Sequence, residues 1–246
     1  MQLLRAELTK AVTLPAIAFT ALAALVVPPL LALVTGLNFR PTDSRWDSFP
    51  VESHGFEVAG FGQPLVILLA ALIAGTEFME HQVRTTLTAM PRRGRALAAK
   101  LVVVAVGSGA IGLIATAAAV VLKHAALGEH GLAFAEFTAA MAWNLGGVVL
   151  NYTLIGLIAT ALTILTRGFI VTLVVLVPMV LGLTIGLVQA IPALKYLPDL
   201  AGLQLLTGYP GIGLLEPIPG ALVMAAWAFA LTAAAAVVFR RRDVGG

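Results

Sequence analysis

Several groups of residues in this chain have types and spacings that could carry chemistry. Gly107, Gly109 and Gly112 form GxGxxG after the apolar stretch 101–106, with Glu129 farther on. That is the pattern of a turn that cradles a dinucleotide pyrophosphate on backbone N–H groups. Ser108, inside the same run, is a possible nucleophile. Glu77-Phe78-Met79-Glu80-His81 resembles an inverted zinc motif, HxxEH, with Glu in place of its first His.

None of these patterns survives its surroundings. The apolar run after the glycines continues to Leu122, and no second strand ends at Glu129, as a dinucleotide fold requires. Gly107 and Gly112 therefore read as small residues that let two membrane helices approach closely, and Gly182 with Gly186 reads the same way. The zinc motif lacks a ligand, and His54, His124 and His130 are expected at the opposite membrane face. Ser108 would need a base, and no His lies in an expected span. There is no cysteine, and no Gly is followed by Lys, so a phosphate-binding P-loop is absent. The chain is expected to hold no metal, no cofactor and no catalytic set of its own.

The elements that hold these residues follow from composition. Of 246 residues, 60% are hydrophobic and 11% are charged, and the mean hydropathy is +1.00. A water-soluble domain carries about 25% charged residues. Six apolar segments stand out, roughly 15–37, 59–76, 101–122, 142–165, 169–191 and 218–239, none with Asp, Glu, Lys or Arg. One such charge at a span centre costs about 2.5–3.5 kcal/mol. The expectation is an all-α polytopic membrane protein, residues 1–246 forming a single transmembrane domain with six spans. Without a carboxylate in any span, an ion or proton relay has no carrier.

The charges sort by side. The N-terminus, the 77–100 loop, Arg167 and the tail hold eleven basic and four acidic residues; the other side holds four basic and eight acidic. Basic residues near span ends stay cytoplasmic. Both termini are therefore expected in the cytoplasm, and the pI near 9.6 needs no nucleic acid to explain it. The first apolar run, about 23 residues, exceeds a signal peptide's 7–15; Pro28 and Pro29 inside it should kink the helix. Before it, Leu4, Leu8 and Ala11 recur at i, i+4, i+7, so residues 1–14 read as an interfacial amphipathic helix. Residues 192–217, with Pro192, Pro198, Pro210 and Pro217 among apolar stretches, should pack as short helices over the outer mouth.

Two features remain. Between spans two and three, Val83, Leu87 and Met90 fall on one helical face before Pro91, with Arg84, Thr85, Thr86 and Thr88 on the others. A short cytoplasmic helix parallel to the membrane can lie in headgroups or dock in a partner's groove. The neighbouring Arg92, Arg93 and Arg95 read equally as topology anchors, and Glu77 as an interfacial charge or a partner for a loop arginine. In span four, Asn144 and Asn151 are seven apart on one face. They read either as hydrogen bonds between helices or as a polar stripe on a substrate path.

The six-span layout, the stretch from Gly75 to Lys100, the start Leu3–Lys10 and the end Phe239–Asp243 together resemble the ABC-2 type permease family. Glu77, Arg84, Thr85, Pro91, Arg92 and Arg93 carry most of the likeness. The resemblance implies a subunit of a bacterial plasma-membrane exporter that pairs with a second permease subunit, identical or related. It implies a separate cytoplasmic ABC ATPase, with ATP and Mg bound on that partner, and a coupling helix around residues 80–92. Glu77, Val83, Arg84, Thr85, Leu87, Met90, Arg92 and Arg93 are its expected coupling residues. The apolar spans favour an amphipathic or hydrophobic cargo. The competing expectation is a membrane-embedded immunity or assembly factor that transports nothing.

Overall fold

A membrane core offers backbone groups no water, so a segment that crosses it must satisfy its N–H and C=O groups internally, as a helix does. The computed structural model describes residues 9, 13–40, 50–79, 93–208 and 213–241. The long helices are α1 (Pro15–Leu37), α2 (Ala59–Met79), α3 (Arg93–Leu127) and α4 (Ala139–Thr166). The fifth expected span is broken into α5 (Phe169–Pro178), a π-turn (Met179–Leu183) and α6 (Thr184–Leu187). A short α7 (Pro198–Ala201) and the long α8 (Pro217–Arg241) complete the set. No strand occurs among the described residues. Among the described residues, five helices are long and apolar enough to cross a membrane, and a sixth apolar stretch, Ala59–Gly75 within α2, is shorter. The chain is an all-α polytopic membrane protein.

Local signals set the ends. Pro15 opens α1, where its missing N–H is harmless. The Thr138 hydroxyl accepts from the Met141 N–H, 3.3 Å, and caps α4. Arg167, with φ 57°, ends α4 in a left-handed turn and reverses the chain into α5. Pro28 and Pro29 are both buried within α1, which continues through them as one helix. The break comes instead after Pro178, where Gly182 takes φ 113°. Only glycine adopts that conformation without strain.

α4 is the hub. Two thirds of its membrane-length window is buried, against 17% for the fifth span and for α8. It packs on α2, α3 and α8, while α1 lies against α2 and α3. Tyr152, completely buried, passes between Gly62 of α2 and Gly112 of α3 and donates to the Ala59 carbonyl at 2.6 Å. The Tyr152 ring sits 3.2 Å from where a Gly112 side chain would begin, so close packing of α3 on α4 requires glycine there.

Because the helices alternate in direction, two ends are defined. One carries residues 38–40, 50–58, 128–138, 188–208 and 213–216. The other carries the C-terminal end of α2, the start of α3 and Arg167. The expected short helices over the first end are present as two 3₁₀ turns, Pro192–Tyr196 and Leu203–Leu205, flanking α7. Leu200, Ala201, Leu205, Leu206 and Thr207 are buried beneath this cap.

Candidate functional site

Four places in the bundle bring buried polar side chains on a long helix or the cap against partners or an open space. At the basic end, Lys100 of α3 is buried, and its Nζ donates to the Ile73 carbonyl of α2 at 2.9 Å. Leu97, Ala74, Ala161, Ile164 and Ala235 pack around this level. The two helices that flank the 80–92 segment are therefore tied together at its base. Glu77 and Arg93 stand at the facing ends of α2 and α3. Val83, Arg84, Thr85, Leu87, Met90 and Arg92 lie outside the described residues, as do Leu4, Leu8 and Ala11 of the expected interfacial helix.

At mid-bundle, Asn151 of α4 is fully buried. Its Oδ1 accepts from Gln63 Nε2 of α2 at 2.8 Å, and its Nδ2 donates to the Gly202 carbonyl at 2.8 Å. The Met224 sulfur of α8 is 3.8 Å from the same Nδ2. The side chain thus joins α2, α4, α8 and the cap. Asn144 does not share this place despite sharing its helical face. It lines an apolar groove of about 520 Å³ between α4 and α8, with Trp143, Leu150, Gln204 and Leu222.

At the cap end, Lys123 of α3 is completely buried. Its Nζ lies 3.1 Å from the Glu57 carboxylate and 2.9 Å from the Thr35 hydroxyl. The helix α3 extends five residues past the expected span end, because this ion pair lets a charge enter the protein interior. His124 is carried in with it, which corrects the expectation that no His lies in a span. His124 Nδ1 accepts from the Leu132 N–H at 2.9 Å, and its ring stacks edge-on with His54 at 6.4 Å. It cannot serve Ser108: sixteen residues along one helix separate them by about 24 Å. Burial holds the His54 pKa below its usual value, with Lys123 adding to that and Glu57 opposing it. Among the described residues, no three His, Cys, Asp or Glu side chains form a metal-holding group.

The fourth place is a cavity of about 200 Å³ between α2, the π-turn and the cap. Glu57, Gln63 and Asp199 are its polar lining; Phe61, Met179, Leu181 and Leu203 contribute apolar wall. Asp199 is buried and is bonded by the Thr184 hydroxyl of α6. Its second oxygen, Oδ1, has no hydrogen-bond partner. Burial raises its pKa, and the Thr184 bond and neighbouring backbone N–H groups only partly offset this.

The glycines divide. Gly112 is pressed on Tyr152, but a side chain at Gly107 would meet nothing within 4 Å, and neither would one at Gly186. Gly182 serves the π-turn's positive φ and not a helix contact. The close approaches in this region are made by Gly109, against Thr153, and by Gly156, against Ser108. Among the described residues of this chain, Gly107 and Gly186 thus meet no neighbouring helix, because pattern alone does not say which side of a helix faces one. Lys100, Lys123, Gln63 and Asp199 carry the interior polar chemistry and were missed. Lys100 and Lys123 sit just outside the apolar runs; their only sequence signal is an isolated cation within a turn of a span end.

Comparison with known families identifies the chain: residues 3–186 match the family model described as ABC-2 family transporter protein. No curated protein matches the chain. The chain belongs to the ABC-2 transporter family and is a multi-pass membrane permease of an ABC-type transporter. Such permeases are transport components that work with an ATP-binding subunit and are not themselves ATPases.

Proposed function

We propose that this chain is the permease subunit of an exporter in a bacterial plasma membrane, with both termini cytoplasmic. It pairs with a second permease subunit and takes its energy from a separate cytoplasmic ABC ATPase, which binds ATP and Mg. The cargo is amphipathic or hydrophobic. Val83, Leu87 and Met90 form the apolar face that docks on the ATPase. Arg84, Thr85, Arg92 and Arg93, with Glu77, make its polar contacts.

The observation that supports this most is the Lys100 to Ile73 bond. A helix docked on an ATPase transmits work only if the spans attached to it move together. Lys100 joins α2 and α3 at the base of the segment, and Asn151 joins α2 to α4 and the cap. A tilt imposed at residues 80–92 thus has a continuous hydrogen-bonded and packed route to the far end, where the cavity lies.

The test replaces residues 83–90 by a Gly/Ser linker of equal length. The expected result is loss of co-purification with the ATPase while the subunit still inserts and folds. Retained binding together with ATP-dependent export refutes the coupling role.

A further inference from the structure

The cavity between α2, the π-turn and the cap holds an acceptor with nothing to accept from. Asp199 is 4% exposed, its Oδ1 is unpartnered, and it lines a space several times the roughly 30 Å³ share of one water molecule. Buried carboxylate oxygens are ordinarily satisfied, and an exception beside an open space points to a ligand. Among the described residues, no basic side chain lines the cavity. Lys123 is turned to Glu57 and Thr35, and Lys195 holds its ammonium over the Tyr196 ring at 5.4 Å. Among the described residues the lining is therefore acceptor-rich: the Asp199 carboxylate on the polar side with Glu57 and Gln63 beside it, hydrocarbon and the Phe61 ring on the other.

That composition selects among cations. Calcium takes six to eight oxygens and magnesium near-ideal octahedral geometry, and largely apolar walls supply neither. An organic ammonium needs one or two acceptors for its head and apolar surface for its carbons, and an aromatic face adds to its binding. We propose that this cavity binds the ammonium head of an alkylamine-type cation at Asp199, with the alkyl part lying along Leu181, Leu203 and Phe61. The inference deepens the export reading by naming the charge of its cargo. It also gives Asp199 a reason to persist in a place where burial works against its ionisation.

The test uses the purified full chain in nanodiscs of zwitterionic lipid, with no ATPase and no nucleotide. Failure of the coupling reading therefore does not affect it. Saturation-transfer NMR measures binding of n-butylammonium, n-butanol and n-butyrate. Wild type should bind n-butylammonium saturably and bind the other two at least about tenfold more weakly, as loss of a charge-assisted contact requires. Asp199→Asn, which keeps a group able to bond Thr184, should weaken n-butylammonium by at least about tenfold. Gly60→Leu puts hydrocarbon bulk into the cavity that Gly60 lines, where a Cβ meets nothing within 4 Å, and it should abolish binding. Equal binding of n-butanol, or undiminished n-butylammonium binding in Asp199→Asn, overturns the proposal. If that variant does not fold, undiminished binding in Gly60→Leu overturns it alone.

Discussion

Replacing Asn151 by Leu separates a structural lock from a substrate path, and the structure sets the magnitude. Leu has nearly the same volume, so packing is held roughly constant. Two hydrogen bonds of 2.8 Å are lost, one from Gln63 and one to Gly202. Interhelical bonds in membranes average about 0.6 kcal/mol, which would give about 1.2 kcal/mol. That average assumes the freed groups find other partners. Here they divide. The Gly202 carbonyl keeps the Leu205 N–H at 3.1 Å and loses only a second bond. Gln63 is 1% exposed, so its amide N–H is left without the partner it had. A buried orphan costs about 1–3 kcal/mol and an ordinary bond about 0.5–1.5 kcal/mol. Their sum makes Asn151→Leu destabilising by about 2–4 kcal/mol. At about 2–4 °C per kcal/mol for a chain of this size, thermal unfolding in detergent should fall by roughly 4–16 °C. Adding Gln63→Leu removes the orphan and should recover about 1–3 kcal/mol. A midpoint within about 2 °C of wild type, with transport abolished, refutes the lock and restores Asn151 to the substrate path.

Glu57→Gln takes the carboxylate from a fully buried ammonium and should cost about 3–5 kcal/mol; the Glu57→Gln/Lys123→Met double variant should recover most of it, and a double variant as unstable as the single one contradicts the buried-pair account. Asp199 has a folded pKa above the unfolded value of about 3.9, so its contribution to stability is fully present below that pH and is lost as pH rises through the folded value. Asp199→Asn should remove that slope and be no less stable than wild type at pH 7, as unfolding midpoints across pH 4–8 will show; an unchanged slope counts against it. His54 has the opposite sign: its depressed folded pKa gives a contribution present above about pH 6.5 that is lost as pH falls below it, and His54→Gln should flatten the midpoint profile there.

The spans were legible because hydrocarbon imposes the same demand at every depth: about 20 residues without charge. The expected limits and the observed helices agree within a few residues for α1, α2 and α4. They fail for α3, which runs from Arg93 to Leu127, because Lys100 and Lys123 find partners on other helices. A cation's cost inside the bundle depends on what faces it, and residues 27 and 66 positions away in sequence are invisible to a local pattern. The same limit hid Gln63 and Asp199, each ordinary at its own position and significant only opposite Asn151 and Thr184. Asn151 itself was legible as a candidate, since an amide at membrane depth must bond something; that Gln63 bonds its carbonyl and Gly202 its amide could not be read from sequence. Asn144 offers the contrast: it has the same residue type on the same helical face, yet lines an apolar groove one end of α4 away.

Rigidity and compliance are unevenly placed in this bundle, and the compliant part touches the cavity. α4 is buried and tied by Asn151 and Tyr152. The fifth span shares the lowest burial with α8 and carries Pro178, which lacks a backbone donor, followed by a π-turn that leaves the regular ladder. Gly182 makes the turn possible, lines the cavity, and lies two residues from Thr184, which holds Asp199. If substrate occupancy is communicated to the spans, this is where a small movement costs least. Gly182→Ala tests the point. A side chain at φ 113° is strained by about 1–2 kcal/mol, although space is available, its nearest contact being Ile185 at 3.6 Å. The strain should be relieved by straightening the π-turn, which withdraws Thr184 from Asp199. Stability should fall by no more than that amount, n-butylammonium binding should weaken, and the unfolding slope due to Asp199 should shift, with α4 contacts intact by cross-linking between positions 63 and 151. Unchanged binding with the full stability loss would place the compliance elsewhere and leave the turn as a passive accommodation of Pro178.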